Sequence, residues 1–144
     1  MKKTDAFWDS SAIVPFCVGQ MGSAFASAAM RSKSIVVWWG TPVEVTSAMA
    51  RLLRSDEISA KSFRSAQARL AELRGMWIEV QPTEQARELA EVLVQRHPLR
   101  AADAMQLAAA LIWTKGLPRN RVFVCFDGRL AEAAVKEGFS VEAF

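Results

Sequence analysis

The alternation of short apolar runs with longer helical stretches constrains the fold of this chain more than any other feature of its sequence. The clearest runs are 6–8, 34–39 and 122–126, whose β-branched and aromatic residues are typical of buried strands. Strands that are apolar throughout favour a parallel sheet with helices on both faces. The sequence therefore predicts a single domain over residues 1–144, an α/β fold in which a three-layer α/β/α sandwich surrounds a mostly parallel sheet of four or five strands.

Helices are predicted between these strands, where the apolar spacing is helical or alanine is abundant. The predicted helices are 20–30, 41–54, 59–74, 83–96, 99–115 and one that follows Asp127 and stops at Gly138. Two further short strands are predicted at 77–80 and, as an edge strand, at 140–144. Ligands of open parallel sheets bind outside the carboxyl ends of the strands. The residues that follow each strand are therefore the first candidates for a site.

Composition sets only loose limits on function. The net charge of +3 permits a polyanionic partner but does not require one. Cys17 and Cys125 lie among apolar neighbours, which indicates free buried thiols and a reducing, cytoplasmic setting. We expect no signal peptide, because Asp5 and Asp9 interrupt the segment after the N-terminal lysines, and no membrane partner, because no apolar run reaches the roughly 18 residues of a span. His97 is the only histidine, which excludes a histidine-based metal cluster.

Two aspartates directly follow predicted strands. Asp9 ends the first strand and Asp127 ends the strand at 122–126, so both belong to the ligand edge of the sheet. Each of them could instead serve only as the N-cap of the segment that follows. If their strands are neighbours, about 4.8 Å apart, the two carboxylates lie close together.

Glu44 and Asp103 belong to predicted helices. The segment 41–44 reads T-P-V-E, which matches a capping box with Thr41 as the N-cap, and in that interpretation Glu44 bonds back to the N–H of Thr41. The helix follows a strand, however, so Glu44 also faces the ligand edge. Asp103 interrupts an apolar stripe made of Leu99, Leu107 and Leu111. It is either an inward-facing acid that needs a partner or metal, or a first-turn acid that favours the helix dipole.

Four such acids in one place would repel one another. Two carboxylates 4 Å apart repel by about 4 kcal/mol at an effective dielectric constant near 20. Mg²⁺ or Mn²⁺ relieves such repulsion, prefers oxygen ligands and activates water for attack on a phosphodiester. We therefore predict a catalytic and metal-binding set made of Asp9, Glu44, Asp103 and Asp127.

The same residues resemble motifs of the PIN-domain family, in particular the VapC-like toxin ribonucleases of type II toxin–antitoxin pairs. The similar segments are F-W-D-S-S-A-I-V at 7–14, P-V-E-V at 42–45, H-P-L-R-A-A-D-A-M-Q-L-A at 97–108 and F-V-C-F-D-G-R-L at 123–130. The resemblance implies a PIN-like fold, an endoribonuclease that cleaves RNA with Mg²⁺ or Mn²⁺, a homodimer, and inhibition by a cognate antitoxin. The family usually has Ser or Thr where this chain has Cys125. A thiol is a weaker donor, which bears on the expected strength of metal binding.

Three further residues are candidates for substrate binding, and two other functions stay open. Ser10 and Ser11 could hydrogen-bond waters on the metal or merely form a turn, and Arg100, near Asp103, could steer the substrate phosphate. A PIN-like module that binds RNA or protein without cutting is the main alternative. A phosphatase on a similar sheet is a third, although it usually needs an Asp-x-Asp pair that the D-S-S sequence at 9–11 does not supply.

Overall fold

The computed structural model describes residues 4–19 and 23–142, which contain a five-stranded parallel sheet. The strands are β1 (Thr4–Trp8), β2 (Lys33–Trp38), β3 (Ile78–Val80), β4 (Val122–Val124) and β5 (Ser140–Glu142). Their order across the sheet is β3-β2-β1-β4-β5, and every neighbouring pair is parallel. The predicted parallel sheet is confirmed, and the last strand lies at an edge as expected. Residues 143–144 of its predicted range lie outside the described residues.

Seven helices connect these strands in the described part of the chain. They are α1 (Ser10–Val18), α2 (Ser23–Ser32), α3 (Thr41–Arg54), α4 (Ala60–Arg74), α5 (Glu84–Arg96), α6 (Ala101–Trp113) and α7 (Gly128–Glu137). The sequence did not predict α1. Pro15, which removes a backbone donor from the middle of this helix, argues against a helix there. The first three residues of the predicted helix 20–30 lie outside the described residues, and α2 begins at Ser23.

Helices cover both faces of the sheet. The side chains of β1 alternate between two apolar cores: Ala6 and Trp8 enter one, and Phe7 enters the other. The first core packs against α1, α3 and α4, and partly against α2 through Met30. The second core is built with α5, α6 and α7. Because both faces are buried, the central strands contain few polar residues. The predicted three-layer sandwich is confirmed.

The central position of β1 determines what meets at the carboxyl edge of the sheet. This strand pairs with β2 on one side and β4 on the other. The ladder continues one residue beyond the strand, where the Asp9 amide donates to the Val124 carbonyl at 3.0 Å. The segments that follow β1, β2 and β4 therefore leave the sheet side by side. None of the helices in the described residues is long and apolar enough to cross a membrane.

Candidate active site

Asp9 lies at the carboxyl end of β1 and is 3% exposed. It is the N-cap of α1, and its Oδ2 accepts a hydrogen bond from the Ser11 amide at 3.1 Å. The capping role is thus real, but it does not account for the burial of a full carboxylate. Burial raises the pKa of Asp9 to about 6, the hydrogen bonds from Ser11 oppose this, and the negative charge of Asp103 adds to it.

Glu44 does not form the predicted capping box. Helix α3 begins at Thr41 with Gly40 as its N-cap, and no side chain caps it. The prediction that Thr41 is the N-cap is therefore wrong. Because the helix starts one residue early, the Thr41 hydroxyl is free to accept a hydrogen bond from Gln106 at 3.0 Å. The T-P-V-E sequence matches the capping-box pattern, but the Glu44 side chain bonds to Ser10 and Gln106 and not to the start of its own helix.

The Glu44 carboxylate turns toward the first residue of α1 and toward α6. Its Oε2 accepts from Nε2 of Gln106 at 2.9 Å, and its Oε1 accepts from the Ser10 hydroxyl at 3.4 Å. Burial raises the pKa of Glu44 to about 7. The Gln106 hydrogen bond lowers it, whereas the charges of Asp9 and Asp103 raise it further. Glu44 therefore belongs to the acidic group at the sheet edge.

Asp103 lies in the first turn of α6, close enough to Asp9 and Glu44 for its charge to raise the pKa of both. It is half-buried rather than enclosed, while Leu107 and Leu111 of the same stripe are buried. Burial raises the pKa of Asp103, and the charge of Asp127 raises it further, whereas a backbone hydrogen bond and the charge of Arg100 lower it. Arg100 is the N-cap of α6, although its side chain makes no capping bond. The acid is thus partly buried and lines a cleft.

Asp127 is exposed and caps α7. Its Oδ1 accepts from the Leu130 amide at 2.9 Å, so the capping interpretation is correct for this residue. It also lines, with Asp103, a cleft of about 520 Å³ at the N-termini of α6 and α7. The other lining residues are Pro98, Arg100, Ala102, Gly128 and Arg129. Asp127 therefore joins the acidic group through Asp103.

Ser11 and Cys125 tie the ends of β1 and β4 together. The Ser11 hydroxyl accepts from the Phe126 amide at 2.9 Å and lies 3.7 Å from the Cys125 sulfur. That thiol lies 3.8 Å from Oδ2 of Asp9 as a donor, and 3.3 Å from the Asp127 carbonyl. Burial raises the pKa of Cys125 to about 12, so it remains a neutral thiol. Its single S–H is shared between the Asp127 carbonyl and Asp9, so Cys125 is only a weak donor to the most buried acid.

The structure brings Asp9, Glu44 and Asp103 from three separate elements into electrostatic contact, and adds Asp127 beside Asp103. Within residues 4–19 and 23–142, no three His, Cys, Asp or Glu side chains lie close enough to hold a metal ion as they stand. None of the four acids forms a salt bridge within the same residues. The cluster is thus acidic, partly buried and without a basic ion-pair partner in the described residues.

Two residues of this region were missed by sequence reasoning. Gln106 is fully buried and bonds to Glu44, and the signal for it was a lone amide in the apolar stretch 104–111. Arg129 lines the same cleft as Arg100. It follows Asp127 by two residues, in a segment whose resemblance drew attention only to the aspartate.

No model of a protein family matches this sequence, and no curated protein matches it significantly. Solved structures do. A toxin–antitoxin complex from Klebsiella pneumoniae has a TM-score of 0.62 at 17% identity, covering 88% of this chain and 91% of the matched chain. VapBC2 from Rickettsia felis, bound to a promoter DNA fragment, has a TM-score of 0.67 at 9% identity, covering 97% and 98%. The chain has the PIN-like fold.

A further match agrees with this assignment. FitAcB from Neisseria gonorrhoeae has a TM-score of 0.61 at 16% identity, covering 94% of this chain and 95% of the matched one. The resemblance to PIN-domain, VapC-like toxins that the sequence motifs indicated is thereby confirmed at the level of the fold. At these identities the PIN-like fold is shared while the chemistry of the site has to be argued from this chain's own residues.

Proposed function

We propose that this chain is an Mg²⁺- or Mn²⁺-dependent endoribonuclease and the toxin of a toxin–antitoxin pair. The observation that carries the proposal is that Asp9, Glu44 and Asp103 lie close enough at one edge of the sheet for the charge of Asp103 to raise the pKa of both other acids. Burial and mutual repulsion raise the pKa of Asp9 to about 6 and that of Glu44 to about 7. A fold that holds acids in this unfavourable state gains most from a bound cation.

The donors fit a hard, hydrated cation. They are carboxylate oxygens, with the Ser10 hydroxyl beside Glu44, and oxygen is the ligand that Mg²⁺ and Mn²⁺ prefer. Mg²⁺ usually keeps several waters and binds through one or two carboxylates. A site in which the acids are close enough to interact, but do not converge on a single point, is suited to such binding. Asp9, Glu44 and Asp103 would hold the ion, with Asp127 beside them.

When bound, the ion would supply an activated water and neutralise charge that develops on the phosphodiester. The chain's own residues have the other tasks. Glu44 and Ser10 can orient a water by hydrogen bonds, and Ser11 fixes the loop after β4 relative to Asp9. Arg100 and Arg129, which both line the cleft beside Asp103 and Asp127, are suited to bind phosphates of the RNA backbone.

An RNA cleavage assay tests this function. The purified chain should cut RNA with Mg²⁺ or Mn²⁺ and stop cutting when EDTA is added. Asp103→Asn, which keeps the shape and removes the charge, should slow cleavage at least about a hundredfold. The matched control is Glu91→Gln, an exposed acid-to-amide change on α5. DNA and a small phosphomonoester, tested alongside, separate a nuclease from a phosphatase. Cleavage by Asp103→Asn at the parent rate would show that this mechanism is wrong.

A binding module without activity is the second candidate. It is favoured by the separation of the acids, since no three of them in the described residues are close enough to enclose an ion. Such a module would bind RNA or protein and would be indifferent to Mg²⁺. If the chain bound RNA equally well with and without Mg²⁺, and the fully bound RNA stayed uncut, the binding module would be the correct function.

The proposal includes two protein partners. One of the structures with the same fold is named as a toxin–antitoxin complex, and the other two are named VapBC2 and FitAcB. We therefore propose a cognate antitoxin for this chain as well. We also propose a homodimer through the surface of Trp39 and Val43, which are 51% and 72% exposed beside a cleft of about 590 Å³. With RNA as the substrate, the proposed place of action is the cytoplasm.

A further inference from the structure

Gln106 is a polar residue in an apolar environment. It is fully buried in α6, and its neighbours Ala104, Leu107 and Ala108 are fully buried as well. Burying an amide costs free energy unless all of its polar atoms find partners. The Oε1 atom of Gln106 is buried without a hydrogen-bond partner among the described residues. If the side chain only filled space, an apolar residue of similar size would stabilise the fold more, because it would avoid the cost of the unpartnered oxygen.

The amide nitrogen of the same side chain is fully used. Nε2 donates to the Glu44 carboxylate at 2.9 Å and to the Thr41 hydroxyl at 3.0 Å. Both acceptors belong to the first turn of α3, whereas Gln106 comes from a helix that packs on the opposite face of the sheet. The bridge therefore crosses the carboxyl edge. Because the two N–H groups have two fixed acceptors, the amide can hold the Glu44 carboxylate in one orientation.

The only other side-chain bond to that carboxylate within the described residues is the longer one from Ser10, at 3.4 Å. Ser10 is only partly buried, on the first turn of α1. A carboxylate held by this one long contact would be free to rotate toward solvent. The Gln106 contact is the shorter one and comes from a side chain that cannot move without disturbing the core.

We infer that Gln106 is a positioning residue that fixes Glu44 at the acidic site, at a cost to the packing of α6. This inference rests on the proposed function for its catalytic consequence, while the hydrogen bond itself can be tested separately. The competing explanation is that Gln106 merely joins α6 to α3 through Thr41. In the first explanation the important partner of Gln106 is Glu44, and in the second it is Thr41.

The experiment compares single variants of this chain, including Ser10→Ala, with the double variant Gln106→Met/Glu44→Ala. Gln106→Met keeps the side-chain volume and removes the amide. Thr41→Val is the matched control, since it removes one partner of Gln106 and leaves the Glu44 bond. Glu44→Ala supplies the background for a double-mutant cycle. Thermal unfolding of each variant checks that the fold is retained.

The first readout does not require activity. The side-chain amide resonances of Gln106 in an NMR spectrum should shift strongly in Glu44→Ala and only slightly in Ser10→Ala. The second readout is Mn²⁺ affinity by titration calorimetry. Gln106→Met should weaken it about tenfold in the parent, as expected for one hydrogen bond to a charged group, and by less than about twofold in the Glu44→Ala background. Thr41→Val should leave it unchanged.

Steady-state kinetics give the third readout. Gln106→Met should lower kcat about tenfold with little change in KM, because the bond orients a reacting group and does not bind RNA. Unshifted resonances in Glu44→Ala, equal losses of affinity in both backgrounds, or a loss in Thr41→Val as large as in Gln106→Met would each overturn the inference. A parent chain that neither binds Mn²⁺ nor cuts RNA would refute the proposed function, and unshifted Gln106 resonances in Glu44→Ala would still overturn the inference.

Discussion

Replacing Asp9 by Asn should make the metal-free protein more stable, and increasingly so as the pH rises. Asn is as good an N-cap as Asp, so the cap of α1 is retained. The pKa of Asp9 is raised from 3.8 to about 6 by burial in this structure. Its folded state therefore binds a proton more tightly than its unfolded state does. Stability from this group is fully present below about pH 4 and is lost as the pH rises through about 6.

The size of the effect follows from the shift. Raising the pKa of Asp9 from 3.8 to about 6 corresponds to about 3 kcal/mol over the whole titration, at roughly 1.4 kcal/mol for each pH unit. Solvent screens the Asp9 charge little, because the residue is only 3% exposed. Asp9 also raises the pKa of Glu44, so its removal adds to the gain in the same direction. The difference in unfolding free energy between Asp9→Asn and the parent should grow by roughly 2 kcal/mol between pH 4 and pH 7, because about a fifth of the full effect is already present at pH 4.

Urea unfolding in EDTA at a series of pH values measures this difference. Any constant cost of the buried Asn amide shifts the difference between the two proteins equally at every pH, so the change of that difference with pH is free of it. Glu91→Gln, an exposed change on α5, should follow the parent curve at every pH. If the difference between Asp9→Asn and the parent stayed flat from pH 4 to pH 8, Asp9 would not be held in the unfavourable environment on which the metal-binding argument depends.

Three other changes test the surroundings of the site. Cys125→Ser should tighten Mn²⁺ binding severalfold in titration calorimetry, because a hydroxyl is a better donor to Asp9 than a thiol; unchanged affinity would make the thiol contact irrelevant. Arg129→Gln should raise the KM for RNA at nearly constant kcat, less so at high salt, and a KM that stays the same would remove this residue from the phosphate path. Trp39→Glu should convert a dimer to a monomer in light scattering, and an unaltered mass would exclude this surface as the interface.

The fold was predictable because its signals are local and repeated. Apolar runs such as Val122–Val124 read as strands, and Gly138 marks the end of α7. The adjacency of β1 and β4, which brings Asp9 and Asp127 to the same edge of the sheet, could not be deduced from the sequence and is established by the strand pairing in the structure. Helix α1 was missed because Pro15 is a local signal that the packing of Ile13 and Cys17 outweighs.

The candidate site was predictable in its acids but not in their supports. Glu44 fits a capping box by sequence, and only the start of α3 at Thr41 shows that its side chain serves another purpose. The partner of Glu44, Gln106, lies 62 residues away, and no periodicity relates the two. Burial is equally hidden: Asp9 and Asp127 follow strands in the same way, yet one is enclosed and the other is exposed. Long-range contacts and exposure are properties of the folded chain.

The central claim is that the acidic group exists to bind a divalent cation, and proton release on binding tests it most directly. With pKa values of about 7 for Glu44 and about 6 for Asp9, the two groups together carry about one proton at pH 6.5 and almost none at pH 8.5. Mn²⁺ titrations in two buffers of different ionisation enthalpy should therefore show release of about one proton at pH 6.5 and almost none at pH 8.5. Absence of binding at millimolar Mn²⁺, or binding without proton release at pH 6.5, would contradict the account.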